Sequence, residues 1–213
     1  MKKNTAPDAS QQTASVGVVE HANSAVLVTV ASGGALLDRR RVELTDRDLP
    51  THPHHHEGSW AVGRYRNTAA ARVLVLEDVI KLVERVRLAA ARGAEESLDA
   101  LTRAVSIPIV SIAIRLCPEL PATIEERIRD SRAQTFADSV MYREAIAAAA
   151  RARGWTVHWY DRTEVFRDAA DALGRKDVTP FLEKLGRSIG PPWNAEFKLA
   201  AAAAIAATRN RVP

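Results

Sequence analysis

Residues 15–44, SVGVVEHANSAVLVTVASGGALLDRRRVEL, decide the fold class. SVGVVE is a short apolar run suited to a buried strand, and HANS is a turn. AVLVTVAS alternates β-branched residues, and Ser32-Gly33-Gly34 is a second turn signal. ALLDRRRVEL then reads as a longer strand, with Val42 and Leu44 on one face and Arg41 and Glu43 on the other. Three strands joined by tight turns predict an antiparallel meander.

Further on, IPIVSIAI (107–114) is a continuous apolar run of the kind buried on both faces of a sheet, and it is broken by Cys117-Pro118-Glu119-Leu120-Pro121. WTVHWYD (155–161) is an aromatic strand. Around these the 3.6-residue period predicts helices from about Val73 to Arg92, ended by Gly93, and from Glu95 to Val105. Others are expected near Thr123–Arg129, Ala137–Arg153 with Gly154 as the stop, Glu164–Leu173, Thr179–Ser188 and Asn194–Thr208, with Asn194 as N-cap. Strands separated by helices should lie parallel, so the order predicts an α/β domain with a mixed sheet. Residues 1–14 are polar and without period and read as a disordered tail, leaving 15–213 as a single domain.

The 213 residues include 24 Arg, 6 Lys and 26 acids, for a net charge of +4. A pI near 9.5 permits nucleic-acid binding without demanding it. Cys117 is the sole cysteine, which excludes an intramolecular disulfide framework and a four-cysteine zinc site. The polar start lacks the apolar stretch of a signal peptide, and the longest apolar run, Leu199–Ala207, is too short for a bilayer. The expectation is a cytoplasmic bacterial-type protein with no membrane contact. Of the 38 alanines, Ala145, Ala148, Ala149 and Ala152 give one helix a smooth face, and Ala200, Ala203, Ala204 and Ala207 another. Either would pack tightly on the sheet or form a homodimer seam.

A three-stranded meander followed by helix, strand, helix, strand and helix resembles the ribonuclease-H-like superfamily. VGVVEHANS resembles the first strand of its Holliday-junction-resolvase (RuvC-like) branch, in which a short apolar strand ends in a catalytic acid. AIAAAARARGWTVHWYDRTEVF looks like that branch's helix, stop and strand, GRKDVTPFLEKLG stands where a basic DNA-facing segment belongs, and NAEFKLAAAAAIAA resembles the terminal helix. The resemblance spans roughly residues 15–208. It implies two Mg²⁺ or Mn²⁺ ions held by carboxylates from the first strand, the fourth strand and the last helix, driving in-line phosphodiester hydrolysis.

Carried over by position, Glu20 takes the place of the first-strand acid, where the family usually has Asp, and Glu196 that of a terminal-helix carboxylate. Leu199 stands where another ligand is expected, and Arg115 where the fourth strand should end in Glu. An arginine among the carboxylates counteracts the charge that recruits Mg²⁺, so the resemblance implies a degenerate active site with Arg115 near the scissile phosphate. Glu119, in its Pro-bracketed loop, could substitute only by folding back.

His52, His54, His55 and His56 lie within five residues, with His21 in the first turn. Such imidazoles can bind Zn²⁺, and His21, His54 and His56 are the candidate metal ligands, with Glu57 able to complete a site. Equally, the loop's histidines could bond backbone and water, or one could serve as general base beside Glu20. Arg39 and Arg41, on one face of their strand, with Arg162 and Lys176, are candidate nucleic-acid contacts; a charged edge that blocks strand pairing explains the arginine run as well. Trp155, Trp159, Phe181 and Trp193 read as packing residues, and Cys117 as a buried small hydrophobe. The sequence thus predicts a divergent nuclease or nucleic-acid-binding protein. Its rivals are an inactive scaffold of the same fold and a metal enzyme centred on the His52–His56 loop.

Overall fold

A computed structural model describes residues 12–55 and 74–209. Three strands form the meander, β1 (Ala14–His21), β2 (Ser24–Ala31) and β3 (Leu36–Glu43). The chain continues through α1 (Leu76–Ala104), β4 (Ile109–Arg115), α2 (Ile124–Arg129), α3 (Ser131–Ala152), β5 (Thr156–Tyr160), α4 (Val165–Ala172), α5 (Thr179–Ile189) and α6 (Ala195–Ala207). The sheet order is β3-β2-β1-β4-β5. β2 lies antiparallel to both β1 and β3, while β1, β4 and β5 run parallel. This is the mixed α/β sheet that the meander and the two isolated strands predict.

Two apolar layers sandwich the sheet. Val16, Val18 and Leu27 pack toward α1 and α3 on one face, whereas Val26, Val28 and Ala113 pack toward α4, α5 and α6 on the other. In α6 every side chain from Ala200 to Ala204 is fully buried, as a helix apolar on all sides must be. Its smooth surface lets the backbone settle onto β1 at Gly17, where a Cβ would lie 1.8 Å from the Ala200 carbonyl oxygen. The alanine face of α6 is therefore covered within the chain, whereas on α3 Ala145 and Ala149 are buried and Ala148 and Ala152 exposed.

Four local readings need correction. α1 runs unbroken through Gly93, whose missing side chain admits the Leu44 backbone, since a Cβ would stand 2.2 Å from the Leu44 carbonyl oxygen. Proximity, not termination, accounts for this glycine. α3 starts six residues earlier than predicted, at Ser131, because the Asp130 carboxylate accepts from the amides of Arg132 and Ala133. Ala14 is buried in β1 instead of belonging to a tail; residues 1–11 lie outside the described residues. Trp159 is 37% exposed, with the Arg151 guanidinium 6.0 Å from its ring centre, because β5 is an edge strand with one face uncovered. Asn194 caps α6 as expected, accepting from the amides of Glu196 and Phe197, and Trp155 joins the core.

Candidate functional site

Because β1, β4 and β5 are parallel, their carboxyl ends reach the same edge of the sheet, the place where open α/β sheets present ligand sites. A cavity of about 460 Å³ opens there. β1 contributes Glu20 and His21, β4 contributes Arg115, and β5 and the turn after it contribute Tyr160 and Arg162. α3 supplies Ser139 and Arg143, α6 supplies Glu196 and Leu199, and His52 enters from the loop after the meander. Glu20, His21, Arg115, Arg162 and Glu196, all singled out from the sequence, thus line one cavity.

The deepest polar feature is an ion pair between Glu20 and Arg143, whose side chains are each 6% exposed. Arg143 also donates to the Leu116 carbonyl at 3.0 Å, which fixes the guanidinium between β1 and the end of β4. Burial works against its charge, but the Glu20 carboxylate outweighs that, and the net effect holds Arg143 above the ordinary arginine range. Tyr160 donates its phenol proton to the Val18 carbonyl at 2.9 Å. Burial, reinforced by the negative charge of Glu20, pushes this phenol well above its usual value.

At the rim, Glu196 pairs with Arg41 at 2.5 Å, with the two side chains 32% and 41% exposed. Arg41 additionally reaches the Ser24 hydroxyl. Arg115 is half-buried and Arg162 exposed, and neither side chain forms a hydrogen bond or ion pair among the described residues, although Arg115 is near enough to Asp161 to act on its carboxyl electrostatically. The cavity therefore holds two carboxylates already matched by arginines, and two further guanidiniums directed at it without partners.

Other candidates are placed elsewhere. Arg39 donates to the carbonyls of Ile189, Gly190, Pro191 and Pro192, closing the carboxyl end of α5. Lys176 sits exposed on the turn between α4 and α5 and does not line the cavity. His54 is buried against α3, where its Nδ1 lies 2.8 Å from an Asp138 carboxylate oxygen that also accepts the His54 amide. Tyr142 donates to the Thr51 carbonyl beside it, so this loop is docked on α3. His56 and Glu57 lie outside the described residues. Among the described residues no group of three or more His, Cys, Asp or Glu side chains is placed to hold a metal ion, and no helix is long and apolar enough to cross a membrane.

The sequence reading missed Arg143. A signal was present: among the buried positions of α3, which are mostly Ala, Val, Met and Ile, Arg143 and Asp138 are the charged ones. Cys117, expected to be buried, is half-exposed beside Arg143 and lines a second cavity of about 600 Å³ next to the first. Burial raises its thiol pKa, opposed in part by Arg143.

Sheet order and helix placement define a mixed α/β domain, with a three-stranded antiparallel meander and two further parallel strands flanked by helices. No family model matches the chain, and no curated protein matches it. Among solved structures it is similar to Thermus thermophilus RuvC in complex with a Holliday junction substrate, with 14% identity and a TM-score of 0.48, over 93% of this chain and 95% of that one. It is also similar to a Thermus thermophilus RuvC structure, with 13% identity and a TM-score of 0.45 over the same shares.

Proposed function

We propose that this protein binds nucleic acid by seating the phosphate backbone at the carboxyl edge of β1, β4 and β5, and that it does so without two-metal hydrolysis. The observation that carries the reading is the pair Arg115 and Arg162, two guanidiniums without partners beside carboxylates that already have theirs. Guanidinium forks match phosphate geometry, and a pocket with surplus positive charge attracts a polyanion.

The Mg²⁺ or Mn²⁺ ions that the fold family implies do not fit this donor set. Closely spaced divalent ions need several anionic oxygens free to coordinate. Glu20 is held by Arg143, Glu196 by Arg41, and Arg115 stands at the end of β4 where a third carboxylate would be required. Among the described residues Zn²⁺ at the histidine loop fits no better, since His54 faces Asp138 from inside the core.

The test is fluorescence anisotropy with labelled duplex, four-way and single-stranded DNA over a salt series, using the wild type, Arg115→Ala, Arg162→Ala and the double variant. The expected result is salt-dependent binding, with the slope against log salt falling by about one for each arginine removed. Equal binding by the double variant would sink the proposed seat. Incubation with Mg²⁺ and Mn²⁺ should leave every probe intact; cleavage abolished by Glu20→Ala and Glu196→Ala would overturn the non-hydrolytic half of the reading.

A further inference from the structure

We infer that the site selects an unpaired nucleotide, with its phosphate on Arg115 and Arg162 and its base against Phe136 in the adjoining cavity. This rests on the nucleic-acid reading above and names the kind of strand that the site takes. Arg115 and Arg162 line both cavities, together with Ser139, Arg143 and Tyr160, and so belong to the wall between them. On one side of that wall lie the paired carboxylates. The other side is built differently, with Leu116, Pro118 and Phe136 lining it.

Phe136, near the start of α3, is 43% exposed, and Leu116, just past the end of β4, is 55% exposed. Large apolar side chains left open beside unpartnered guanidiniums match the two halves of a nucleotide, a flat apolar-faced base joined to an anionic phosphate. Asp161, next to Arg162 in the chain, also lines the second cavity, with one carboxylate oxygen accepting from the amide and hydroxyl of Thr163 and its acidity strengthened first by these bonds and then by nearby Arg115. Leu116, Pro118 and Phe136 line only the second cavity, which sets the orientation: phosphate at the shared guanidiniums, base beyond them. In an intact duplex the base faces are covered by their neighbours and only phosphates are offered. An unpaired base can enter, and every base has a face that stacks, so the selection is for strand state and not for sequence.

The experiment compares oligothymidylate, oligouridylate and a blunt duplex of equal length, each fluorescently labelled, against the wild type, Phe136→Ala, Phe136→Trp and Arg115→Ala. Circular dichroism confirms that each variant is folded. Both single strands should bind about tenfold more tightly than the duplex. Phe136→Ala should remove about that factor for single strands and leave the duplex unchanged, Phe136→Trp should retain it, and Arg115→Ala should weaken all three probes. The ratio of the thymidylate and uridylate affinities assigns the strand to DNA or RNA. Equal affinity for duplex and single strands, or a Phe136→Ala loss shared by both, overturns the inference and leaves the nucleic-acid reading standing. Failure of all three probes to bind the wild type overturns both.

Discussion

Glu20 and Glu196 face the same cavity and each is answered by one arginine, yet the two pairs differ in kind. The Glu20–Arg143 pair joins β1 to α3 in the interior, with both side chains almost fully covered. The Glu196–Arg41 pair joins α6 to the edge strand β3 in partial contact with solvent. Removing one member of a buried pair strands a largely covered charge without its partner, whereas a rim pair is screened and replaceable. The inner pair is part of the scaffold, and the outer one is a latch that a ligand could compete for.

The sharpest way to break this comparison is Arg143→Ala. It should cost about 3–5 kcal/mol in urea unfolding by leaving the Glu20 carboxylate buried and alone, and combining Glu20→Leu with Arg143→Met should recover most of that loss. A cost below about 1 kcal/mol would place the inner pair in the same class as the rim pair. Next in size is Gly17→Ala. The new Cβ has no room against the Ala200 carbonyl, so α6 must lift, costing about 1–3 kcal/mol. It should also displace Glu196 while leaving Glu20 in place, which a loss of salt sensitivity at the Arg41 pair would report.

Tyr160→Phe removes the bond to Val18 and should cost about 1 kcal/mol. Because the fold holds this phenol neutral, its contribution is complete below the unfolded tyrosine value of about 10 and declines as the pH rises above it. Ultraviolet titration should accordingly show a tyrosine component that resists ionisation until the chain unfolds, and the Tyr160→Phe protein should lose the share of it that Tyr160 supplies. Ionisation of all tyrosines near their ordinary value would contradict the burial of this group. The smallest effect is expected from Arg41→Ala, at most about 1 kcal/mol and vanishing at high salt, read from thermal unfolding in a salt series.

The strands were legible because burial writes itself as alternation in β2 and as an unbroken apolar run in β4. Glu20, Arg115 and Glu196 were legible because strand ends and a helix N-terminus are readable positions. The His54–Asp138 contact was not, since it depends on how α3 is rotated against the sheet and no local pattern of the partners records that rotation; Arg143 was marked only as a charge among apolar helix positions, with nothing to name Glu20 as its partner. Gly93 shows the reverse problem: a glycine within a helical pattern is read as a stop, although the need for it comes from Leu44, remote in sequence.

α6 covers the middle of the sheet, against β1 and β2, although it follows every other element in the chain. During synthesis the meander and β4 leave the ribosome with that face bare, while α3, α4 and α5 are still to come. A chain interrupted before Asn194 would lack both the lid on its central strands and the Glu196 side of the cavity. Assembly of the site is thereby coupled to the synthesis and docking of α6, and a chain that has not yet made it would present an uncovered apolar sheet for chaperones and proteases to recognise.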